Sequence, residues 1–158
     1  MADTTLLHET LTTGAEFLGD ADYYKNNIPD HLKSNLNPKF QIRPYQQEAF
    51  GRLKYYIEAY LGRTKNAPTH LLYHMATGSG KTMIMAGLML YLYEQGYRNF
   101  LFFVNSTNII NKTRDNFLNA NSSKYLFNES VHLNNKQIKL KEVDNFQGAN
   151  PEDINIVF

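Results

Sequence analysis

One short stretch limits this chain more than any other: Met75-Ala76-Thr77-Gly78-Ser79-Gly80-Lys81-Thr82, set between an apolar run of strand length and a longer one of helix length. Such a turn can curl its backbone around an anion, because Gly78 and Gly80 place no Cβ on the curve and several N–H groups can point inward. The helix that follows would offer its partly positive N-terminus to the same anion. Lys81 supplies an ammonium for β- and γ-phosphates, and Thr82 a hydroxyl for the magnesium ion that bridges them. The expected ligand is Mg-ATP, contacted by Ala76, Thr77, Gly78, Ser79, Gly80, Lys81 and Thr82, with Lys81 and Thr82 serving catalysis and Thr82 the metal.

The strict pattern G-x-x-x-x-G-K-[ST] asks for glycine where this chain has Met75, so the context carries the reading. His70 to Met75 reads as a strand, and Thr82 to Tyr93 as an almost unbroken apolar helix stopped by Gly96. An incidental Gly-Ser-Gly turn would not require these neighbours in this order. The fold class that follows is α/β with a parallel sheet.

At 158 residues the chain has room for one substantial core. It contains no cysteine, which removes disulfides and thiolate metal sites and fits a reducing, cytoplasmic setting. The longest apolar run, Met83 to Tyr93, is too short to span a bilayer, so no membrane partner is expected. The five histidines show no ligand spacing that points to a metal centre. Charge is distributed unevenly. Residues 1–30 carry Lys25 against Asp3, Glu9, Glu16, Asp20, Asp22 and Asp30, a balance of −5, whereas residues 31–158 carry +6. A polyanion should prefer the later segment.

Residues 1–39 read as a lead-in of short helices around Pro29 and Pro38. From Pro44, apolar residues at Tyr45, Ala49, Leu53, Tyr56, Ile57 and Tyr60 recur every three or four positions, which predicts an amphipathic helix ending near Gly62. Asn99 to Val104 predicts a strand covered by helices on both faces and parallel to the first. A helix capped by Ser106 or Thr107 should run to about Leu118, a strand should occupy Lys136 to Val143, and another should begin at Ile154. Residues 119–136, rich in Asn and Ser, give no clear period.

An ATPase of this type needs an acid at the end of a later core strand to hold magnesium and orient water. Val104 is followed by Asn105, Asp144 follows no apolar run, and Asp153 precedes its strand. No such acid is visible, so poor turnover and a truncated chain are expected.

Arg43-Pro44-Tyr45-Gln46-Gln47-Glu48-Ala49, upstream of MATGSGKT, resembles the start of the first motor domain of superfamily-two helicases and translocases. The likeness is greatest to the ResIII-type motors of type I and type III restriction enzymes, and it covers roughly residues 40–158. It implies a P-loop NTPase, RecA-like three-layer fold in which 40–158 is an incomplete first motor domain, truncated before its Walker B acid. It also implies that Gln46 reads adenine with Arg43 beside it, a role a carboxamide can perform by donating and accepting at once. Phe100 to Phe117 is similar to the segment that touches the tracked strand, which gives Asn105, Ser106 and Thr107 as nucleic-acid contacts. Implied partners are double-stranded DNA and a modification or specificity subunit. The implied activity is the ATP-binding part of a DNA translocase or helicase within a restriction system. A self-contained regulatory module that holds nucleotide without hydrolysing it is the alternative, and a small P-loop kinase ranks last because it gives Gln46 no role.

Overall fold

The computed structural model describes residues 5–64 and 67–158. It divides into two compact units, one formed by 1–29 with 42–74 and the other by 30–41 with 75–158. Both are discontinuous in sequence, so neither coincides with the lead-in of 1–39 or the segment 40–158.

The first unit is helical. α1 (Leu7–Phe17), α2 (Tyr23–Asn26) and the longer α4 (Pro44–Glu58) belong to it. Leu11 and Ala15 of α1 bury against Tyr24 of α2, with Leu7, Tyr23, Tyr55 and Tyr60 packed around them. Tyr23, Tyr24 and Tyr55 meet edge to face at centroid separations of 5.3 to 6.1 Å, the arrangement ring quadrupoles favour. The Tyr24 hydroxyl donates to the Leu11 carbonyl at 2.8 Å. α4 approaches α2 at Gly51, where a Cβ would lie 1.8 Å from the Tyr24 carbonyl oxygen. Arg52 then ties α4 to α1, donating to the His8 carbonyl and the Thr12 hydroxyl at 3.0 Å while paired with Glu48 at 2.8 Å.

The second unit is mixed. It contains α3 (His31–Asn35), α5 (Lys81–Glu94), β1 (Asn99–Leu101), α6 (Thr107–Leu118), β2 (Val131–Leu133), β3 (Lys136–Ile138), β4 (Leu140–Glu142) and β5 (Ile154–Val157). β1, β5 and β4 form a parallel sheet in that order, with Phe100 opposite Ile156 and Leu140 opposite Ile154. Ile154, Asn155 and Ile156 of the central strand are buried. α6 packs on one face, where Phe117 meets Phe127 and Phe158 at 5.9 and 6.5 Å and Arg114 grips the Glu142 carboxylate with two nitrogens at 2.9 Å. α5 is apolar on every side and accordingly buried along its length, at Met83, Ile84, Ala86, Met89, Leu90, Tyr91 and Tyr93.

Three expectations are corrected. His70 to Met75 is not a strand: no ladder bond among the described residues reaches it, and Leu72 is 91% exposed. An apolar run becomes a strand only where a neighbour satisfies its backbone. β1 therefore lies parallel to β5 and not to a strand at 70–75. It is an edge strand that ends at Leu101, short of the expected Val104; Leu101 and, beyond the strand, Phe103 are strongly exposed, while Phe102 packs against Phe158 at 5.7 Å. Finally, the strand expected over Lys136–Val143 breaks at Lys139 into β3 and β4, which belong to different sheets. β3 folds back on β2 through Asn134 and Asn135, at φ of 52° and 60°, the two left-handed positions a tight hairpin turn requires. Lys139 is held at the junction, its carbonyl accepting from Ile154 N–H at 2.9 Å and its N–H donating to the Asp153 carboxylate at 3.3 Å.

Residues 30–41 belong with the second unit because of Asn35. Its buried amide donates to the carbonyls of His31 and His132, both at 2.9 Å, and its oxygen accepts from the His132 N–H at 2.6 Å. Asn37 and Asn128 add further backbone bonds between the same two segments, around a bridge between Leu36 and Phe127. His31 pairs with Glu94 at the end of α5 at 2.7 Å.

Candidate nucleotide-binding site

Residues 75–82 close on themselves through short bonds. Ser79 donates to the Ala76 carbonyl from both its N–H, at 3.3 Å, and its hydroxyl, at 2.7 Å. Gly78 and Gly80 take φ of 79° and 82°, the left-handed region that favours glycine. At Gly78 an added Cβ would meet nothing within 4 Å, so backbone angle rather than space calls for glycine there. Met75 is absent from the residues with positive φ. The departure from the strict motif therefore falls where an ordinary residue fits.

Gly80 is the N-cap of α5, and its carbonyl accepts from Met83 and Ile84 at 2.9 and 3.2 Å. Lys81 and Thr82 open the helix, Lys81 exposed and Thr82 half-buried. The Lys81 ammonium curls back over the turn and donates to the carbonyls of Met75 and Ala76, at 3.1 and 3.0 Å. This arrangement sets a cation and a helix N-terminus on one small concavity, which suits a multiply charged anion. Ala76 to Thr82 lie together in this one turn and the helix start that follows it.

Gln46 lies in the other unit, in the first turn of α4. It is 3% exposed. Its side-chain oxygen accepts from the Arg43 N–H at 2.9 Å, satisfying one of the backbone donors a helix start leaves over. The carboxamide is therefore fixed by its own helix. Arg43 is exposed and donates to the Tyr45 hydroxyl at 3.1 Å.

Ser106 is the N-cap of α6, but the cap is made by its backbone: its carbonyl accepts from Ile109 and Ile110 at 3.0 Å, and its hydroxyl makes no capping bond. Asn105 and Thr107 are exposed beside it. Asp153, set aside above because it precedes its strand, is 5% exposed and structural. Burial raises its carboxyl pKa, but bonds from Lys141, the Lys139 N–H and Asn150 outweigh burial and hold it below the usual value. Its Lys141 partner stands at 2.6 Å. Burial also pushes the Tyr73 hydroxyl up to about 12. Among the described residues no helix is long and apolar enough to cross a membrane, and no group of three His, Asp or Glu side chains could hold a metal ion.

The elements missed by sequence reasoning are the β2–β3 hairpin and the Asn35 bonds. The first carries a signal, the Asn-Asn pair between Val131-His132-Leu133 and Lys136-Gln137-Ile138. The second carries none that a single sequence displays.

A parallel sheet in one unit, with a glycine-built turn opening a buried helix, makes this an α/β chain. The family model described as type III restriction enzyme, res subunit, matches residues 39–158. The chain is 52% identical over 126 residues to the probable type III restriction-modification enzyme HindVIP Res subunit of Haemophilus influenzae. That match covers 75% of this chain and 24% of the relative, so the chain spans about a quarter of that protein's length. No solved structure matches. The chain belongs to the type III restriction enzyme res-subunit family.

Proposed function

We propose that this chain is the ATP-binding portion of the motor of a type III restriction system, an ATP-driven DNA translocase. The observation that carries the reading is the turn at 75–82, with two left-handed glycines, a lysine over the concavity and a helix beginning at its rim. Mg-ATP would displace the Lys81 ammonium from the carbonyls of Met75 and Ala76 onto its β- and γ-phosphates. Amides of Ala76 to Thr82 would line the phosphates, and the Thr82 hydroxyl would ligate magnesium. Gln46, with Arg43 beside it, is the proposed adenine reader, on the resemblance of Arg43 to Ala49 to the family's segment. Asn105, Ser106 and Thr107 are proposed contacts to DNA phosphates, which an uncommitted hydroxyl at a helix start can bind.

In this reading residues 40–158 are a partial RecA-like domain with 1–39 as its lead-in. The hydrolytic acid and a second motor domain would come from the remainder of the full-length protein, and an added strand would cover the exposed apolar edge of β1. Double-stranded DNA and a modification subunit are the proposed partners. Type III rather than type I is favoured by the family match. The test is DNA-stimulated ATP hydrolysis by the full-length protein. Wild type should turn over ATP with DNA present and Lys81→Ala should not; equal rates in the two would refute the reading.

A further inference from the structure

One carbonyl in the turn at 75–82 is offered more donors than it can hold. The Ala76 oxygen accepts from the Ser79 hydroxyl at 2.7 Å, from the Ser79 N–H at 3.3 Å and from the Lys81 ammonium at 3.0 Å. A carbonyl has two lone pairs, so three donors share two places. The distances rank them. The hydroxyl sits at the favoured O–H to O separation, whereas the N–H lies beyond the roughly 3.2 Å within which such bonds are usually found. The ammonium divides itself between this carbonyl and that of Met75, at 3.1 Å. Ser79 therefore holds Ala76 chiefly through its side chain. All of these atoms belong to one unit, 30–41 with 75–158. Gly78 and Gly80 on either side take positive φ and Ser79 does not, so position 79 has ordinary backbone that accepts other side chains.

We infer that Ser79 is a positioning residue for the nucleotide: its hydroxyl keeps the Ala76 carbonyl occupied, and so releases both the Lys81 ammonium and the Ser79 N–H to the arriving phosphates. The inference rests on the nucleotide-binding reading above. When the ammonium moves onto phosphate it leaves two carbonyls behind, and a polar group that loses its partner carries a cost. Ala76 keeps the hydroxyl. Its oxygen, engaged by that donor, also presents less bare negative charge to a phosphate than an unengaged one would. Without the hydroxyl, the N–H and the ammonium are the two remaining donors to this carbonyl among the described bonds, and each must break its bond before it can meet a phosphate. Ser79 thus acts through Lys81 and through its own amide.

The experiment titrates Mg-ATP into the full-length protein by calorimetry, for wild type, Ser79→Ala, Ser79→Thr, Lys81→Ala and the double variant Ser79→Ala with Lys81→Ala, at a temperature where each is folded. Ser79→Ala is expected to weaken binding roughly threefold to tenfold, the worth of one neutral hydrogen bond. Ser79→Thr keeps a hydroxyl within reach of Ala76 and should stay within about twofold of wild type. In the Lys81→Ala background the same Ser79→Ala change should cost clearly less, because no ammonium remains to be released. Unchanged or tighter binding by Ser79→Ala overturns the inference. So does an equal loss in Ser79→Thr, or a loss of the same size with and without Lys81, since either assigns the residue to the shape of the turn alone. In those cases a loss on Lys81→Ala leaves the nucleotide-binding reading standing. Equal binding by wild type and Lys81→Ala, or none by wild type, removes that reading and this inference with it.

Discussion

Gln46 shows how much one side chain can be asked to do. Its oxygen caps the start of α4, so Gln46→Ala removes a helix cap as well as any contact to a base, and the two losses would be confounded. Gln46→Glu separates them, because a carboxylate at this position still accepts from the Arg43 N–H and also suits the helix N-terminus, but has no amide to donate. The proposed adenine role predicts that in Gln46→Glu, compared at a temperature where the variant remains folded, ATP loses its advantage over GTP in competition binding. Retained discrimination would show that the base is read elsewhere. Asp153 gives a second test at this scale. Its folded-state pKa is depressed, so its stabilisation is present above the unfolded value near 3.8 and is lost as pH falls through the lower folded value. Asp153→Asn should cost roughly 1–3 kcal/mol at pH 7, where Lys141 and the Lys139 N–H lose a charged acceptor, and clearly less at pH 3. Denaturant unfolding at the two pH values checks this; a cost independent of pH would contradict the pairing.

At the scale of elements, two opposing effects meet at Gly51. Glycine inside a helix ordinarily costs about 0.5–1 kcal/mol relative to alanine, so Gly51→Ala could be expected to stabilise α4. A Cβ only 1.8 Å from the Tyr24 carbonyl oxygen reverses the sign, because backbone on backbone cannot give way as a flexible side chain can. Separation of α4 from α2 should destabilise by about 1–3 kcal/mol or more. An unchanged or raised melting temperature for Gly51→Ala would mean the helices are not packed there. The hairpin makes the opposite kind of prediction. Asn135 is a non-glycine residue in a left-handed position, and Asn135→Gly should raise stability by roughly 0.5 kcal/mol. The helices were the legible elements. α4 and α6 are readable from apolar residues recurring every three or four positions, and α5 from its length between Gly80 and Gly96. The strands were less so, and for a physical reason. A helix satisfies its backbone from within, whereas His70 to Met75 and Lys136 to Val143 depend on which neighbours arrive, and a run of apolar residues does not name its neighbour. Residues 30–39 were read as part of the lead-in of 1–39, whereas Asn35 bonds to His132, a partner remote in sequence that no local pattern reveals.

Across the whole chain, what is shown is membership of the res-subunit family, over about a quarter of the length of the relative it matches; the nucleotide-binding motor segment is the reading proposed above. The turn at 75–82 was legible as a turn because it is contained in eight consecutive residues, and Met75 stands in it without a positive φ. The proposed DNA contacts at Asn105 to Thr107 were legible only by resemblance, since exposed polar residues at a helix start serve many ends. The account predicts that this chain binds nucleotide with little turnover. Its central claim is that residues 75–82 seat a triphosphate, and titration calorimetry of Mg-ATP into the 158-residue chain tests that most directly. Wild type should give a saturable exothermic isotherm and Lys81→Ala should weaken binding roughly tenfold to a hundredfold, the value of one charge-assisted bond to phosphate. Identical isotherms for the two proteins, or no heat of binding from the folded wild type, would contradict it.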